Sequence, residues 1–147
     1  MFQNSAWLNQ VIEKVTDPDR DIVDPHHHLW PQPNMGYNLP EFLSDTTDGH
    51  KVLQTVHMEC GGAYHEEGPE HLRCVGETAF ITDVAKRARE QGSQTQIAGL
   101  VARAELRDKN LDAVLDAHEE TAQGLFRGIR QAGACSEGIE GLIIPGG

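Results

Sequence analysis

Three consecutive histidines, His26 to His28, are the residues of this sequence whose type and spacing could carry chemistry. An extended backbone alternates faces, so it places His26 and His28 on one side and His27 on the other. Two imidazoles on one side can converge on a zinc-like ion, and a water bound to such an ion is acidified enough to attack a carbonyl. The H-x-H spacing is only moderately specific, and the alternative is a polar loop with three ordinary histidines.

The residues around the histidines predict the elements that position them. Residues 22–24 predict a short strand, and Pro25 would remove a ladder hydrogen bond, so we expect the strand to end near this proline. The histidines then lie at the C-terminal end of a strand. Upstream, residues 6–15 predict a short amphipathic helix, and residues 31–49 predict an irregular excursion with one helical turn near 41–43.

Strands and helices alternate in the rest of the chain. Residues 52–59, 97–102 and 126–130 predict strands, whereas residues 76–91 and 110–123 predict helices. Such alternation builds a parallel sheet with right-handed crossovers and helices on its outer face. The sequence therefore predicts an α/β fold. In (β/α) barrels, active sites lie at the C-terminal ends of the strands, where His26 and His28 are expected.

Composition limits the classes of function. The 147 residues are 38% hydrophobic, which is enough for one domain with a core. The formal net charge of −11 repels phosphate backbones and anionic lipids, so we expect neither nucleic acid nor membrane as a partner. We find neither an apolar run of membrane-spanning length nor a secretory signal, and we expect a cytoplasmic protein. Cys60, Cys74 and Cys135 form no C-x-x-C pair and are expected to be free thiols.

Four blocks of the sequence are similar to successive blocks of the amidohydrolase-related family of TIM-barrel metal-dependent hydrolases. The blocks are residues 22–30, residues 55–60 with 64 and 68–70, residues 75–77, and residues 126–130. Their order and approximate spacing fit as well, and the resemblance runs from about Trp7 to Arg130. Within this superfamily the chain most resembles the lactonase-like branch, whose relatives open sugar lactones, sulfomuconolactone and pyrone dicarboxylate.

The resemblance implies a catalytic role for His26 and His28, which match the D-x-H-x-H pattern of the family's first strand. It implies that both ligate a divalent metal, with zinc as the first choice, or that they hydrogen-bond the substrate directly, as in metal-independent relatives. His27 matches no ligand position. The family's further histidines and its aspartate general base belong to later strands, which lie beyond the last residue of this sequence.

Three more residues are candidates for contact with a small-molecule substrate. Glu59 shares a face with His57, so both could point into the barrel mouth. Glu59 could instead accept from backbone or an arginine, and for His57 a packed, hydrogen-bonded core histidine is the favoured interpretation. Arg130 could fork onto a substrate carboxylate, whereas Arg127 is expected to be structural. Trp30 could wall the pocket or fill the core.

The number of strands predicts only part of a barrel. A TIM barrel takes about 250 residues and eight strands, whereas four strands are predicted here and residues 131–147 depart from the family pattern. We expect the N-terminal half of a barrel followed by an off-pattern tail, as a truncated or frame-shifted reading frame would give. Its open sheet edges favour a homo-oligomer.

Two functions other than a lactone-opening hydrolase stay open. One is a non-catalytic half-barrel remnant or binding module, and the other is a metal-dependent decarboxylase of the same superfamily. Because the H-x-H pair supplies only two of the three protein ligands typical of catalytic zinc, we expect residues 1–147 alone not to hydrolyse lactones.

Overall fold

The structure, a computed structural model, describes residue 7, residues 10–31 and residues 36–131. Its centre is one sheet of four parallel strands, and neighbours in the sequence are neighbours in the sheet. The strands are β1 (Asp21–His27), β2 (Lys51–Met58), β3 (Gln96–Arg103) and β4 (Phe126–Arg130). The predicted α/β fold with four adjacent parallel strands is confirmed.

Within residues 10–31 and 36–131, three α-helices accompany the sheet: α1 (Leu39–Thr46), α2 (Val75–Glu90) and α3 (Leu111–Ala122). A short 3-10 turn, Glu70–Leu72, precedes α2. Helix α2 ends just before Gly92, whose φ of +70° suits glycine and does not continue a right-handed helix. Helix α3 ends at Gln123, which itself adopts the left-handed conformation, and Gly124 follows it. The bounds of α2 and α3 agree with the sequence prediction to within one residue.

The core lies between the sheet and the helices. Helix α2 contributes an apolar stripe, and β3 contributes the inward side of a strand that is apolar along most of its length. One cluster of buried residues draws on all three helices and on the strands and their ends: Leu29, Leu39, Phe42, Ile81, Val84, Ala85, Ala88, Ile97, Leu100, Ala102, Ala122 and Leu125. This packing makes the helices and the sheet one layered unit, and it sets which side chains on each strand face the helices.

Strand β1 continues two residues past Pro25 and ends at His27, close to the end expected from the sequence. In the sheet order β1 has only β2 beside it, and an edge strand tolerates a residue that cannot donate to the ladder. The pairing with β2 is irregular between Asp24 and His27, at the position of the proline. The strand therefore carries its extended backbone through the first two histidines.

Helix α1 is longer than the single turn predicted near residues 41–43. Its start is a complete capping box: the Asn38 side chain accepts backbone N–H groups of the first turn, and Glu41 accepts the Asn38 N–H at 3.0 Å. Leu39 and Phe42 are buried in the core. Local capping and packing together stabilise a helix in a region rich in prolines and glycines.

The helix predicted over residues 6–15 is not present at residues 10–15. Val11 and Ile12, which were to form its apolar face, are 70% and 89% exposed. A short helix gains most of its stability by burying such a face, and here that face is not buried. Trp7 is helical, and the remainder of the predicted segment lies outside the described residues.

None of the helices described in the structure has both the length and the apolar character needed to cross a membrane.

Candidate functional site

The side chains of His26 and His28 meet at the C-terminal end of β1. Their Nε2 atoms are 3.2 Å apart, and the two rings are nearly perpendicular. His27 lies on the other side of the strand, where its ring stacks on Phe42 of α1 with 4.7 Å between ring centroids. The alternation of faces predicted for the three histidines is confirmed.

A backbone carbonyl orients the ring of His28. The carbonyl oxygen of Met58, the last residue of β2, lies 2.8 Å from His28 Nδ1. Because a carbonyl only accepts, Nδ1 must carry the proton, and the neutral ring keeps a lone pair on Nε2. This lone pair points toward His26. Histidines that bind metals usually donate their other ring N–H to a carbonyl or carboxylate in this way.

The separation of the two Nε2 atoms matches that of two ligands of one ion. Two nitrogens at about 2.05 Å from a tetrahedral zinc are about 3.3 Å apart, compared with the 3.2 Å found here. The same distance also allows His26 Nε2–H to donate to His28 Nε2 without an ion. His26 is exposed and His28 is half-buried, so the site can be reached from solvent. The residues present fit a divalent metal but provide only two ligands.

Glu59 and Arg130 form a partly buried ion pair with each other. Arg130 donates from Nε to Glu59 Oε1 at 2.9 Å and from its terminal nitrogen to the Glu59 carbonyl oxygen. The guanidinium fork that was predicted to hold a substrate carboxylate is thus engaged by a carboxylate of the chain itself. This arrangement agrees with the alternative prediction that Glu59 is an acceptor for an arginine; contact of either residue with substrate stays a prediction.

Trp30 lies beside the histidine pair, with its ring centroid 5.7 Å from that of His28. Its backbone N–H donates to Tyr37 O at 3.0 Å, which closes the loop before α1. The side chain is half-buried and borders a shallow cleft of about 370 Å³ shared with Tyr37 and Pro40. This position is compatible with the predicted pocket wall, whereas the fully buried position of a core aromatic is not observed.

His57 is buried on the helix side of β2 and does not point into the barrel mouth. It is 1% exposed, and its Nε2 lies 3.6 Å from Glu77 Oε1 of α2. Burial lowers the pKa of His57 despite the nearby Glu77 carboxylate. The favoured interpretation of His57 as a packed core histidine is confirmed for its location, whereas the hydrogen bonds predicted for it are not found among the described residues.

The interaction of Glu77 with Cys60 is the feature that the sequence did not reveal. Glu77 Oε1 accepts the backbone N–H groups of Cys60 at 2.9 Å and of Gly62 at 3.3 Å, and the Cys60 thiol lies 3.1 Å away. Residues 75–77 had been noted only for their family resemblance. The H-x-x-C spacing of His57 and Cys60 was the available signal, but nothing in the sequence indicated that Glu77 would come from a helix to join them.

Cys60 is not placed as a nucleophile. Burial, followed by the charge of Glu77, raises the pKa of its thiol to about 12, and a reactive cysteine needs the opposite shift. Both cysteines of the described part, Cys60 and Cys74, are free thiols as expected. Cys135 lies outside the described residues.

Arg127 has the structural role predicted for it. Its guanidinium donates to three backbone carbonyl oxygens, those of Gly124, Phe126 and Ala98. It thereby ties the start of β4 to β3.

Comparisons with protein-family models, with curated proteins and with solved structures found no match. The resemblance to the amidohydrolase-related family, and every role that it implies, therefore stays a prediction from the sequence.

Proposed function

We propose that the chain is the N-terminal half of a hydrolase of the amidohydrolase-related superfamily that opens a lactone or similar cyclic ester with activated water. The observation that carries the proposal is the His26–His28 pair: two Nε2 atoms 3.2 Å apart at the C-terminal end of a strand in a parallel sheet. Active sites of (β/α) barrels lie at this end of the strands.

His26 and His28 would hold a divalent metal, for which zinc is the first choice. Such an ion, when bound, polarises a carbonyl and acidifies a water. Among the described residues, His28 keeps its Nε2 lone pair available because Met58 O accepts its other ring proton. His26 has no such constraint on its Nδ1 among the described contacts. In a metal-independent enzyme the same pair would instead donate to and accept from the substrate.

A substrate carboxylate would bind Arg130 by replacing Glu59 as its partner. A substrate carboxylate that takes the fork of Arg130 must displace Glu59 Oε1, so this pair favours ligands that offer two carboxylate oxygens in one plane. Trp30, whose ring centroid lies 5.7 Å from that of His28, would border a ligand held at the histidine pair. A carboxylate-bearing ligand would suit the fork of Arg130.

The isolated half-barrel would need other strands to complete its site. β1 and β4 are the outer strands of the sheet, and unpaired strand edges favour association with further strands. We propose homo-oligomers or a longer chain as their source. The expected compartment is the cytoplasm.

The test is to follow the imidazole rings by nitrogen–proton NMR while zinc is added to the purified chain. We expect the Nε2 signals of His26 and His28 to shift together, and His28→Ala to abolish the shift of His26. His65→Ala, which changes an exposed histidine, is the control. Unchanged Nε2 signals of His26 and His28 in saturating zinc would overturn metal ligation by this pair.

The catalytic part of the proposal is tested by assaying sugar and dicarboxylate lactones with added zinc or manganese. We expect no turnover by residues 1–147 alone, since the described residues bring two ligands and no general base to this site. A version that contains further barrel strands should turn over, and His26→Ala should abolish that activity. Turnover by residues 1–147 that disappears in His26→Ala would show instead that an oligomer rebuilds the site.

A further inference from the structure

A second group of potential metal ligands lies on the helix-facing side of the sheet. It consists of His57 at the end of β2, Cys60 in the loop that follows, and Glu77 in the first turn of α2, and we name it the HCE cluster. One nitrogen, one sulfur and one oxygen of these residues all lie within 4.8 Å of one another. Cys60 Sγ is 3.1 Å and His57 Nε2 is 3.6 Å from Glu77 Oε1.

The HCE cluster contains buried polar atoms that have no partner. Neither ring nitrogen of His57 makes a hydrogen bond within the described part of the chain, although the residue is 1% exposed. Glu77 Oε2 is buried and unpaired in the same way. Such an atom is destabilising when nothing compensates for its lost hydration. Buried groups of this kind call for a partner.

A narrow cavity lined by His57, Glu59 and Glu77 adjoins these unpaired atoms. A metal ion binds to lone pairs of the kind that are unsatisfied here. An ion would therefore satisfy the unpaired atoms of the HCE cluster.

We infer that the HCE cluster binds a zinc-like divalent cation through His57, the Cys60 sulfur and Glu77. Imidazole, thiolate and carboxylate are the three ligand types that zinc takes in proteins, at about 2.0–2.3 Å from the ion. Tetrahedral ligands at these distances are about 3.3–3.6 Å apart, so the 3.1 Å between Cys60 Sγ and Glu77 Oε1 would have to lengthen and the 3.6 Å between His57 Nε2 and Glu77 Oε1 would have to shorten by a few tenths of an ångström. Small shifts of the side chains would close the site.

The backbone already orients two of the three ligands. Glu77 Oε1 accepts the N–H groups of Cys60 and Gly62, so the carboxylate and the loop that carries the thiol hold one another in place. Binding of the cation displaces the Cys60 thiol proton to solvent and leaves the sulfur as a thiolate ligand. The bound ion would join β2, the loop and α2 through three protein ligands.

The HCE cluster shares no ligand with the His26–His28 pair, although the rings of His28 and His57 are 6.3 Å apart between centroids. His26 and His28 project from β1 on the side opposite His27, whereas His27 and His57 are paired residues of adjacent strands whose rings contact each other. The inference therefore does not depend on the proposed hydrolase function.

Cobalt(II) is the probe that tests this inference, because thiolate coordination gives it a sulfur-to-metal charge-transfer absorption that imidazole and carboxylate ligands do not give. We expect this band when cobalt is added to the purified, metal-free full chain, and we expect zinc to displace it. Cys60→Ser should abolish the band. Cys74→Ser and Cys135→Ser, which change the other two cysteines, should retain it, as should the double variant His26→Ala with His28→Ala.

A second variant keeps the test decisive if Cys60→Ser alters folding. His57→Gln should weaken zinc binding at least tenfold while circular dichroism shows an unchanged helix content. Wild-type protein that gives no charge-transfer band, a band that persists in Cys60→Ser, or unchanged zinc affinity in His57→Gln would each overturn the inference.

Discussion

At the scale of single residues, the histidines of this chain differ according to the partners of their ring nitrogens. His28 has its tautomer set by Met58 O, and His118 is fully buried with both ring nitrogens engaged. His57 is as buried as His118 but has no hydrogen-bond partner on either nitrogen. His118 and His57 are thus equally buried, but His118 is a structural histidine with both ring nitrogens hydrogen-bonded, whereas His57 is a candidate metal ligand.

His118 gives a prediction about stability. Its Nε2 lies 2.9 Å from the carbonyl oxygen of Arg103, so Nε2 carries the proton, and Nδ1 must accept from the hydroxyl of Thr78 at 2.8 Å. Thr78→Val removes that donor without changing the shape of the side chain. We expect the free energy of unfolding in urea to fall by about 1–3 kcal/mol, the cost of an unpaired buried acceptor.

Thr82→Val is the matched control for this prediction. Thr82 is a buried threonine of the same helix whose hydroxyl donates to Thr78 O, a helix carbonyl. Its removal should cost less than about 1 kcal/mol, since the carbonyl keeps its position in the helix ladder. Equal losses for the two variants would show that the pairing of His118 adds nothing to stability.

At the scale of elements, the contact between the start of α2 and the loop after β2 brings Glu77 to the end of β2. The backbone of residues 63–65 lies directly against Gly76, the residue before Glu77. A Cβ built at Gly76 would be 2.4 Å from Ala63 O and 2.6 Å from His65 N. The close approach of loop and helix, and hence the HCE cluster, requires glycine at this position.

Gly76→Ala tests this close approach. Helix propensity alone would make the substitution stabilising by about 1 kcal/mol. We expect the opposite sign, a loss of at least about 2 kcal/mol in the free energy of unfolding, because the clash is with backbone atoms that cannot rotate away.

Gly62→Ala is the control for that substitution. A Cβ at Gly62 would meet its nearest atom, Pro31 Cδ, at 3.5 Å, which is an ordinary van der Waals contact. We expect its stability to stay within about 0.5 kcal/mol of the wild type. A stabilised Gly76→Ala protein would mean that the loop and α2 are not in contact as described.

At the scale of the whole molecule, one sheet separates two environments. The helix side holds the core, His27, His57 and the HCE cluster, whereas His26 and His28 project from the other side of β1. Histidines that are buried on folding must stay neutral or be paired, and this requirement links the stability of the whole chain to pH.

The pKa of His27 is lowered to about 3, first by burial and then by the nearby His57. An unfolded histidine has a pKa near 6.5. Between these values the unfolded chain binds more protons than the folded one, so stability rises with pH. The contribution is complete above about pH 6.5 and is lost as the pH falls toward 3. Burial lowers the pKa of His57 and His118 in the same direction.

We therefore expect the free energy of unfolding to fall by on the order of 1 kcal/mol per pH unit between pH 6.5 and 5. Urea titrations at several pH values measure this slope. His27→Phe keeps a ring against Phe42 but cannot be protonated, and it should reduce the slope. His65→Gln, at an exposed position, should leave it unchanged. A stability that is constant over this range would contradict the buried neutral state of these histidines.

Sequence patterns of short range predicted most of the elements. Four strands, α2 and α3 follow from apolar periodicity and from glycines at their ends, and the facing of His26 and His28 follows from the two-residue repeat of an extended chain. The exceptions arose where tertiary packing decided the local structure. Val11 and Ile12 stay exposed, so the helix predicted there does not form at residues 10–15. Strand β1 tolerates Pro25 because it lies at the edge of the sheet.

The sequence by itself determined the α/β class, the strand order and the histidine pair, because each depends on neighbours within a few residues or on one crossover rule. Only the tertiary structure decided which carboxylates meet which bases. Glu59 joins Arg130 across 71 positions, and Glu77 reaches Cys60 across 17. Such pairings depend on the register of the strands and on the seating of α2 on the sheet, which no periodicity of the chain encodes.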